Sequence, residues 1–438
     1  VTPGARLQAA IEVLDLIRDS RAPADGVLKA WGREHRFAGS GDRRAIAERV
    51  YTVLRARVRL THRMQDDSGR ALVLGALHHV DQLETTEIEA LFTGGHNPAP
   101  LSDGERAMLV QPAAAAPDWV EAGVPEFIVD AFKSQFGDSW LDEAQALVMP
   151  RAPVDLRVNA LRGGVDGALR LLATEDYTAE PTPWSVRGLR MPPAAAPDVQ
   201  KLRAYTGGWI EVQDEASQIA GFLADAKPGE TVVDYCAGGG GKTLIFAQCM
   251  KAVRGHSGRL VACDVNQKRL DVIPERLDRA GAVAELRRTG TNGEGTEDLV
   301  SGADLVFVDA PCSGSGTWRR HPEGAWRLVP ASVTRLAALQ LEIVTRAARL
   351  VRPGGRLAYA TCSVLDEENA AVADAFLATH PDFAPLPIAE AACTANLTDA
   401  ARARLSQIAD GHRLLLTPHR THTDGFFLAL FTRRPAAS

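Results

Sequence analysis

Apolar residues return every three or four positions through the first 110 residues. In "RLQAAIEVLDLI" they are Leu7, Ile11, Leu14 and Ile17; in "AIAERVYTVLRARV" they are Ala47, Val50, Leu54 and Val58. That spacing lays an apolar stripe along one side of a helix. "SGRALVLGALHHVDQL" reads as a further apolar helix, and "FTGGHNPAPLSDGE" breaks the pattern with Gly, Pro and Asn. A compact helical bundle is predicted. A Pro-bounded helical linker region, "AAAAPDWVEAGVPEFIVDAFKSQFG", follows it.

The rhythm changes near residue 150. "PVDLRVNAL" alternates as a strand does, "VDGALRLLATE" is helical, "SVRGLRMP" is strand-like and "MPPAAAPDVQ" is a loop. Together they predict a small α+β connecting piece. From about residue 211 short apolar runs recur: "TVVDYCA", "RLVACDV", "VAELRR", "DLVFVDA" and "RLAYATC". Helical segments such as "LIFAQCMKAV" and "TRLAALQLEIVTRAARLV" separate most of them. Buried strands alternating with helices predict an α/β fold with a doubly wound, mostly parallel, Rossmann-like sheet. "DGFFLALFTRR" is expected to form a late antiparallel edge hairpin. The expected domains are residues 1–140, 141–210 and 211–438.

A length of 438 residues suits two or three domains, and 45% hydrophobic with 24% charged residues describes a soluble globular protein. No apolar run reaches the roughly eighteen residues of a membrane span. The opening "VTPGARLQAAIEVLDLIRDS" lacks the layout of a signal peptide. Six cysteines form neither a CxxC pair nor a dense framework, so free thiols and a cytoplasmic setting are expected.

The net charge of −6 alone argues against a nucleic-acid partner, but its distribution does not. Residues 1–70 hold fourteen Lys and Arg against nine Asp and Glu, and seven arginines lie between Arg43 and Arg63. A basic helix starting at Arg43 and Arg44 is a candidate phosphate-binding surface; a solvated helix face is the alternative.

"VVDYCAGGGGKT" runs a strand into four glycines and then a helix. Consecutive glycines let a cofactor approach the backbone. The phosphate-loop pattern fails on register, because Cys236 stands where its first glycine belongs, and no proper dinucleotide fingerprint is present. A nucleoside cofactor without pyrophosphate remains, such as S-adenosylmethionine. Asp264 ends the next apolar run about 25 residues on, where an acid accepts ribose hydroxyls. Its alternative is a helix N-cap. Lys242 is either a helix-terminus charge or an ion-pair partner near the loop.

Cys312 in "VFVDAPCSGSG" and Cys362 in "LAYATCSVLDEEN" each follow a strand. A lone cysteine is usually core, and Cys249 and Cys263 take that reading. Cys312 and Cys362 are flanked instead by Pro, Ser, Thr and Gly. Adjacent strands lie about 4.8 Å apart, so these thiols can converge on one substrate. Two cysteines leave a metal site short of ligands.

A thiolate beside S-adenosylmethionine suits methylation of a pyrimidine at carbon 5. Carbon 5 is a poor nucleophile until a thiolate adds at carbon 6 and makes the ring an enamine. An acid such as Asp309 helps by hydrogen bonding at ring nitrogen 3, and a second thiol can assist release. Amino-nitrogen methylation needs no thiolate and would be expected to show a polar-Pro-Pro-aromatic turn in place of "DAPC". The spacing leaves open which thiol attacks.

These segments resemble the Sun/RsmB family of RNA cytosine-5 methyltransferases. "DYCAGGGGKT" is similar to its first cofactor motif, "DAPCSGSGTWRRHPE" to its proline–cysteine motif and "YATCSVLDEEN" to its threonine–cysteine motif. "GWIEVQDEASQ", "TDGFFLALF" and "LRVN" resemble further family blocks, and the segment with "GDRRAIAERVYTVLR" resembles a NusB-type RNA-binding bundle. The resemblance implies a class I methyltransferase domain, S-adenosylmethionine as cofactor, and RNA as partner, expected to be 16S ribosomal RNA. It assigns Cys362 as nucleophile and Cys312 to product release. It carries cofactor binding to Cys236, Ala237, Gly238, Gly239, Gly240, Gly241, Lys242, Asp264 and Asp309. Arg319 and Arg320 match the family's basic turn for RNA phosphates; a solvated loop is the alternative. A monomer is expected.

Two departures stand out. The family usually has Ala-Pro where this chain has Gly238 and Gly239, which is expected to loosen the loop. The family's acid for the adenine is replaced by a choice between Asn292 and Glu294. The alternative functions are a non-catalytic ribosome-assembly factor and the same chemistry on tRNA.

Overall fold

Leu7, Ile11, Leu14 and Ile17 are all buried on one side of the helix Pro3–Asp19. Each fully buried side chain of this kind contributes about 1.5–3 kcal/mol. Thr2 caps this helix, its hydroxyl accepting from the Ala5 N–H at 3.2 Å. The computed structural model describes residues 1–20, 22–112, 114–192 and 198–435. Half of the expected loop "MPPAAAPDVQ", residues 193–197, lies outside the described residues.

The chain divides into two units. The first comprises Val1–Pro150 and Thr317–Leu328, and the second Arg151–Gly316 and Val329–Ser438. The first unit is helical. Its longest helix, Ser40–Met64, carries the seven arginines. Its core stripe is Ile46, Val50, Val53, Leu54, Leu60 and Met64, so Val58 is not part of it. The short helix Glu323–Arg327 packs into the same unit, although it follows the Cys312 motif in sequence. Glu323 Oε1 accepts from the Ala24 N–H at 2.9 Å, and Arg327 donates to the carbonyls of Ile17, Ser20 and Ala22.

The second unit holds two sheets. The smaller has four strands in the order β2-β3-β1-β4: β1 (Val154–Val158), β2 (Glu180–Pro181), β3 (Gly188–Met191) and β4 (Ile210–Val212). The larger has eight strands. Five are parallel: β5 (Thr231–Asp234), β6 (Arg259–Asp264), β7 (Glu285–Arg288), β8 (Ala303–Asp309) and β9 (Val351–Thr361). The others are β10 (Phe383–Pro385), β11 (Arg413–Leu416) and β12 (Phe426–Arg433).

The order is β10-β12-β9-β8-β5-β6-β7, with β11 also paired to β12. Alternate strand residues face two different cores. Val232, Leu260, Phe307 and Ala358 pack into one, and Val233, Val261, Val306 and Tyr359 into the other. This is the three-layer, doubly wound arrangement that the apolar runs predict.

β12 corrects one expectation. It is antiparallel, but it is not an edge: it pairs with β9 on one side and with β10 and β11 on the other. All six residues from Phe426 to Phe431 are buried. A strand apolar on both faces belongs inside a sheet, whereas an edge would leave its unpaired backbone open.

Candidate active site

The chain crosses from one half of the large sheet to the other between β5 and β8. Ligands bind outside the carboxyl ends of the strands at such a switch point. Register aligns those ends: Asp234 sits opposite Ala262 and Phe307, and Asp309 opposite Ala360. The glycine loop, Asp264, Asp309, Cys312 and Cys362 therefore all emerge at one end of the sheet.

The loop after β5 is pinned rather than loose. The Gly238 N–H donates to Asp264 Oδ2 at 2.9 Å, and Arg276 donates to the Gly239 carbonyl. The flexibility expected where the family's Ala-Pro is missing is thus countered by two tertiary hydrogen bonds. Gly238 has φ +55°, and a Cβ built there meets nothing within 4 Å, so its backbone faces open space. That opening, at the start of the helix Gly241–Met250, fits a nucleoside cofactor lying against the loop.

Asp264 Oδ1 accepts from the Asn266 N–H at 2.7 Å. The N-cap of the helix Gln267–Leu270 is Asn266, so the helix-cap alternative for Asp264 falls to its neighbour. Lys242 Nζ donates to Asp309 Oδ2 at 2.7 Å and lies 4.7 Å from the centre of the Phe426 ring. The ion-pair reading of Lys242 is the one the fold adopts.

Cys236 and Ala237 begin the loop, with the Ala237 N–H donating to the Cys263 carbonyl at 2.8 Å. Burial, reinforced by Asp264, Asp234 and Asp309, holds the Cys236 thiol well above its usual pKa. Asn292 and Glu294 share one exposed loop, where the Asn292 backbone N–H and side-chain amide each donate to Glu294. With Tyr235 they line a small pocket.

The Cys312 and Cys362 sulfurs are 3.3 Å apart. Both residues are partly exposed, and all six cysteines are free. The hydrogen bond with Cys362 and then burial hold the Cys312 thiol well above its usual range, with the Cys362 and Glu368 charges adding to the effect. Backbone bonds zip three loops around the pair: Gly316 N–H to the Cys362 carbonyl at 2.9 Å, and Gly425 N–H to the Gly316 carbonyl at 2.8 Å.

The basic residues divide. Arg43 and Arg44 are exposed, although Arg43 Nε also donates to the Ala38 carbonyl at 2.9 Å. Further along the helix, Arg49 pairs with Asp81, Arg57 with Asp67, and Arg59 and Arg63 bond backbone carbonyls. The arginine run is thus largely spent on its own domain. Arg319 is 5% exposed, which fits neither a solvated loop nor the expected guanidinium open to RNA phosphates, whereas Arg320 is partly exposed.

Residue patterning missed several groups. Asp234 is fully buried, accepts from the Thr243 hydroxyl at 2.6 Å, and is pushed up to about 7 by burial. The block around Glu211 is a joint: Glu211 bonds Arg276 and Arg279, and Gln213 bonds the buried Arg157. Asn159 of "LRVN" donates to the carbonyls of Gly208 and Ala280.

A family described as 16S rRNA methyltransferase RsmB/F matches residues 222–432, and an RsmF/B-like ferredoxin-like domain matches residues 124–196. Ribosomal RNA small subunit methyltransferase B of Sodalis glossinidius is 34% identical over 345 residues, covering 78% of this chain and 70% of that protein. The chain belongs to the RsmB/F family of 16S rRNA methyltransferases.

A second relative, the probable ribosomal RNA small subunit methyltransferase B of Synechocystis sp., is 29% identical, covering 70% of this chain and 66% of that protein. This member of the RsmB/F family thus aligns with about two thirds of its curated relatives' length. The crystal structure of PH0851 shares the fold, with a TM-score of 0.74 at 24% identity over 98% of this chain and 99% of that one. As an RsmB/F protein the chain is an S-adenosylmethionine-dependent RNA methyltransferase.

Proposed function

We propose that this chain methylates carbon 5 of a cytosine in small-subunit ribosomal RNA through a covalent adduct with Cys362. The observation that carries this reading is the 3.3 Å approach of two free thiols at neighbouring strand ends, beside the glycine loop. A protein that only binds RNA needs no such pair, which disfavours the assembly-factor alternative.

The Cys362 thiolate adds to carbon 6 of an unstacked cytosine, and carbon 5 becomes nucleophilic. When bound, S-adenosylmethionine supplies the methyl group that carbon 5 takes up. Solvent water then takes the carbon 5 proton, the electrons of that C–H bond reform the carbon 5–carbon 6 double bond, and the Cys362–carbon 6 bond breaks, restoring the aromatic ring and the thiolate. Cys312, held as a thiol, assists this release. Asp309, held as a carboxylate by its ion pair with Lys242, accepts from ring nitrogen 3 once that nitrogen takes a proton from solvent, and the pair fixes its position. Cys236 to Lys242, Asp264 and Asp309 hold the cofactor. Arg43, Arg44 and Arg320 present charge to RNA phosphates.

Bisulfite sequencing of ribosomal RNA from cells with and without the gene tests the reading. One small-subunit cytosine loses its protection when the gene is deleted and regains it with the wild-type gene. An unchanged methylation pattern rejects ribosomal RNA as substrate.

A further inference from the structure

Cys312 and Cys362 are each followed by a serine, and both serines bond the same carboxylate oxygen. Ser313 Oγ donates to Glu368 Oε2 at 2.5 Å, and Ser363 Oγ donates to it at 2.6 Å. On the other oxygen, Oε1 accepts from the Ser313 backbone N–H at 2.8 Å and from Gln340 Nε2 at 3.0 Å. Gln340 Nε2 also lies 3.0 Å from the Pro311 carbonyl, one residue before Cys312. The Tyr359 hydroxyl donates to the Glu368 backbone carbonyl at 2.5 Å.

Glu368 is 0% exposed, whereas Asp366 and Glu367 beside it are exposed. Burying a carboxylate is unfavourable unless its lone pairs are filled. Here four neutral donors fill them, and three belong to the two cysteine loops. A link that served only stability could be built from uncharged groups. Each carboxylate oxygen accepts from two donors, so an amide in its place sets its NH2 group against two of them in either orientation.

We propose that Glu368 is a positioning residue: its carboxylate ties the Cys312–Ser313 and Cys362–Ser363 loops together and so sets the distance between the two sulfurs. It acts through the serines on the thiols. The role in the reaction rests on the cysteine-pair reading above; the geometric role does not.

Glu368→Gln keeps the shape but replaces one acceptor oxygen with an amide donor. The rate of diamide-driven disulfide formation between Cys312 and Cys362, read by mass spectrometry without RNA, reports the sulfur approach directly. Diamide takes up the two electrons and two protons that the thiols lose. In Glu368→Gln this rate falls about tenfold or more, kcat for methylation falls at least as far, and KM for S-adenosylmethionine stays within about twofold.

Ser313→Ala and Ser363→Ala each cut one link and slow the disulfide less than Glu368→Gln does. Should Glu368→Gln not fold, the double serine variant carries the test, because it keeps the carboxylate and removes both hydroxyl links. A wild-type disulfide rate in the folded variants overturns the proposal. If the variants show the slowed disulfide formation but the wild-type protein does not methylate cytosine, the functional reading falls and the positional link stands.

Discussion

The sulfur of Cys312 lies 3.3 Å from the sulfur of Cys362, across a separation of fifty residues in sequence. That distance is a contact between thiols and not a bond, since a disulfide is about 2.05 Å long. One sulfur can attack a substrate while the other stays within proton-transfer reach.

The two thiols are expected to fail differently when removed. Cys362→Ala loses methyl transfer by about a thousandfold or more, because no enamine forms. Cys312→Ala still attacks but releases slowly, so a protein–RNA complex that survives denaturing gel electrophoresis accumulates. A Cys362→Ala protein that keeps wild-type activity, or a Cys312→Ala protein with no trapped complex, reverses or removes the assignment.

The Lys242–Asp309 pair is expected to couple stability to cofactor binding. The Lys242 side chain is 8% exposed and its ammonium has both Asp309 and the Phe426 ring as neighbours. Lys242→Met leaves Asp309 without its cation, and unfolding free energy drops by on the order of 3 kcal/mol. Binding of S-adenosylmethionine weakens about tenfold, since the loop and the Asp309 end of the sheet lose their tie. Thermal melting and titration calorimetry measure both; an unchanged melting temperature contradicts the pair's role.

Asp234 makes stability depend on pH in an unusual direction for an acid. Burial lifts its pKa from 3.8 to about 7, so the folded state holds a proton that the unfolded chain gives up. Its contribution is fully present below about pH 4 and is lost as pH rises through 7, by on the order of 4 kcal/mol. Asp234→Asn carries no such charge. Urea unfolding from pH 4 to 8 should show the variant gaining on the wild type up to about pH 7 and then holding level. A difference that does not change with pH excludes a buried, titrating Asp234.

Gly316 and Gly425 touch through their backbones. A Cβ on Gly316 would sit 2.0 Å from the Gly425 carbonyl oxygen. Gly316→Ala must push this loop away from the Cys362 carbonyl, with a loss of about 2 kcal/mol or more and a matching loss of methylation. Gly26, in the helix Ala24–Glu34, is the control: a Cβ there meets nothing within 4 Å. Gly26→Ala is expected to be neutral or to stabilise by about 0.5–1 kcal/mol. Equal melting temperatures for Gly316→Ala and the wild type would show that the close approach is not maintained.

Much of the fold was legible because it is written in short-range periodicity. The helix through Leu7, Ile11, Leu14 and Ile17 and all five parallel strands fall where the apolar runs place them. β12 did not, because an apolar run does not say how many neighbours a strand has, and here it has three. The arginine helix was legible as a helix but not as a surface. Whether Arg57 faces solvent or Asp67 depends on a fold contact ten residues away.

The sequence by itself determined the strand-and-helix rhythm, the glycine loop and the two cysteines at strand ends, because each is set by neighbours within a turn or a pleat. Only the tertiary structure decided what those groups touch. It brought Cys312 to Cys362, Lys242 to Asp309, and Ser313 and Ser363 to one buried carboxylate. It also pinned the glycine loop with Arg276 and drew residues 317–328 into the helical unit. Hydrogen bonds and ion pairs act over about 3 Å in space, irrespective of separation along the chain. Apart from Ser363 and Glu368, which share one segment, these partners stand up to sixty-seven residues apart and become neighbours only when the sheet aligns its strand ends.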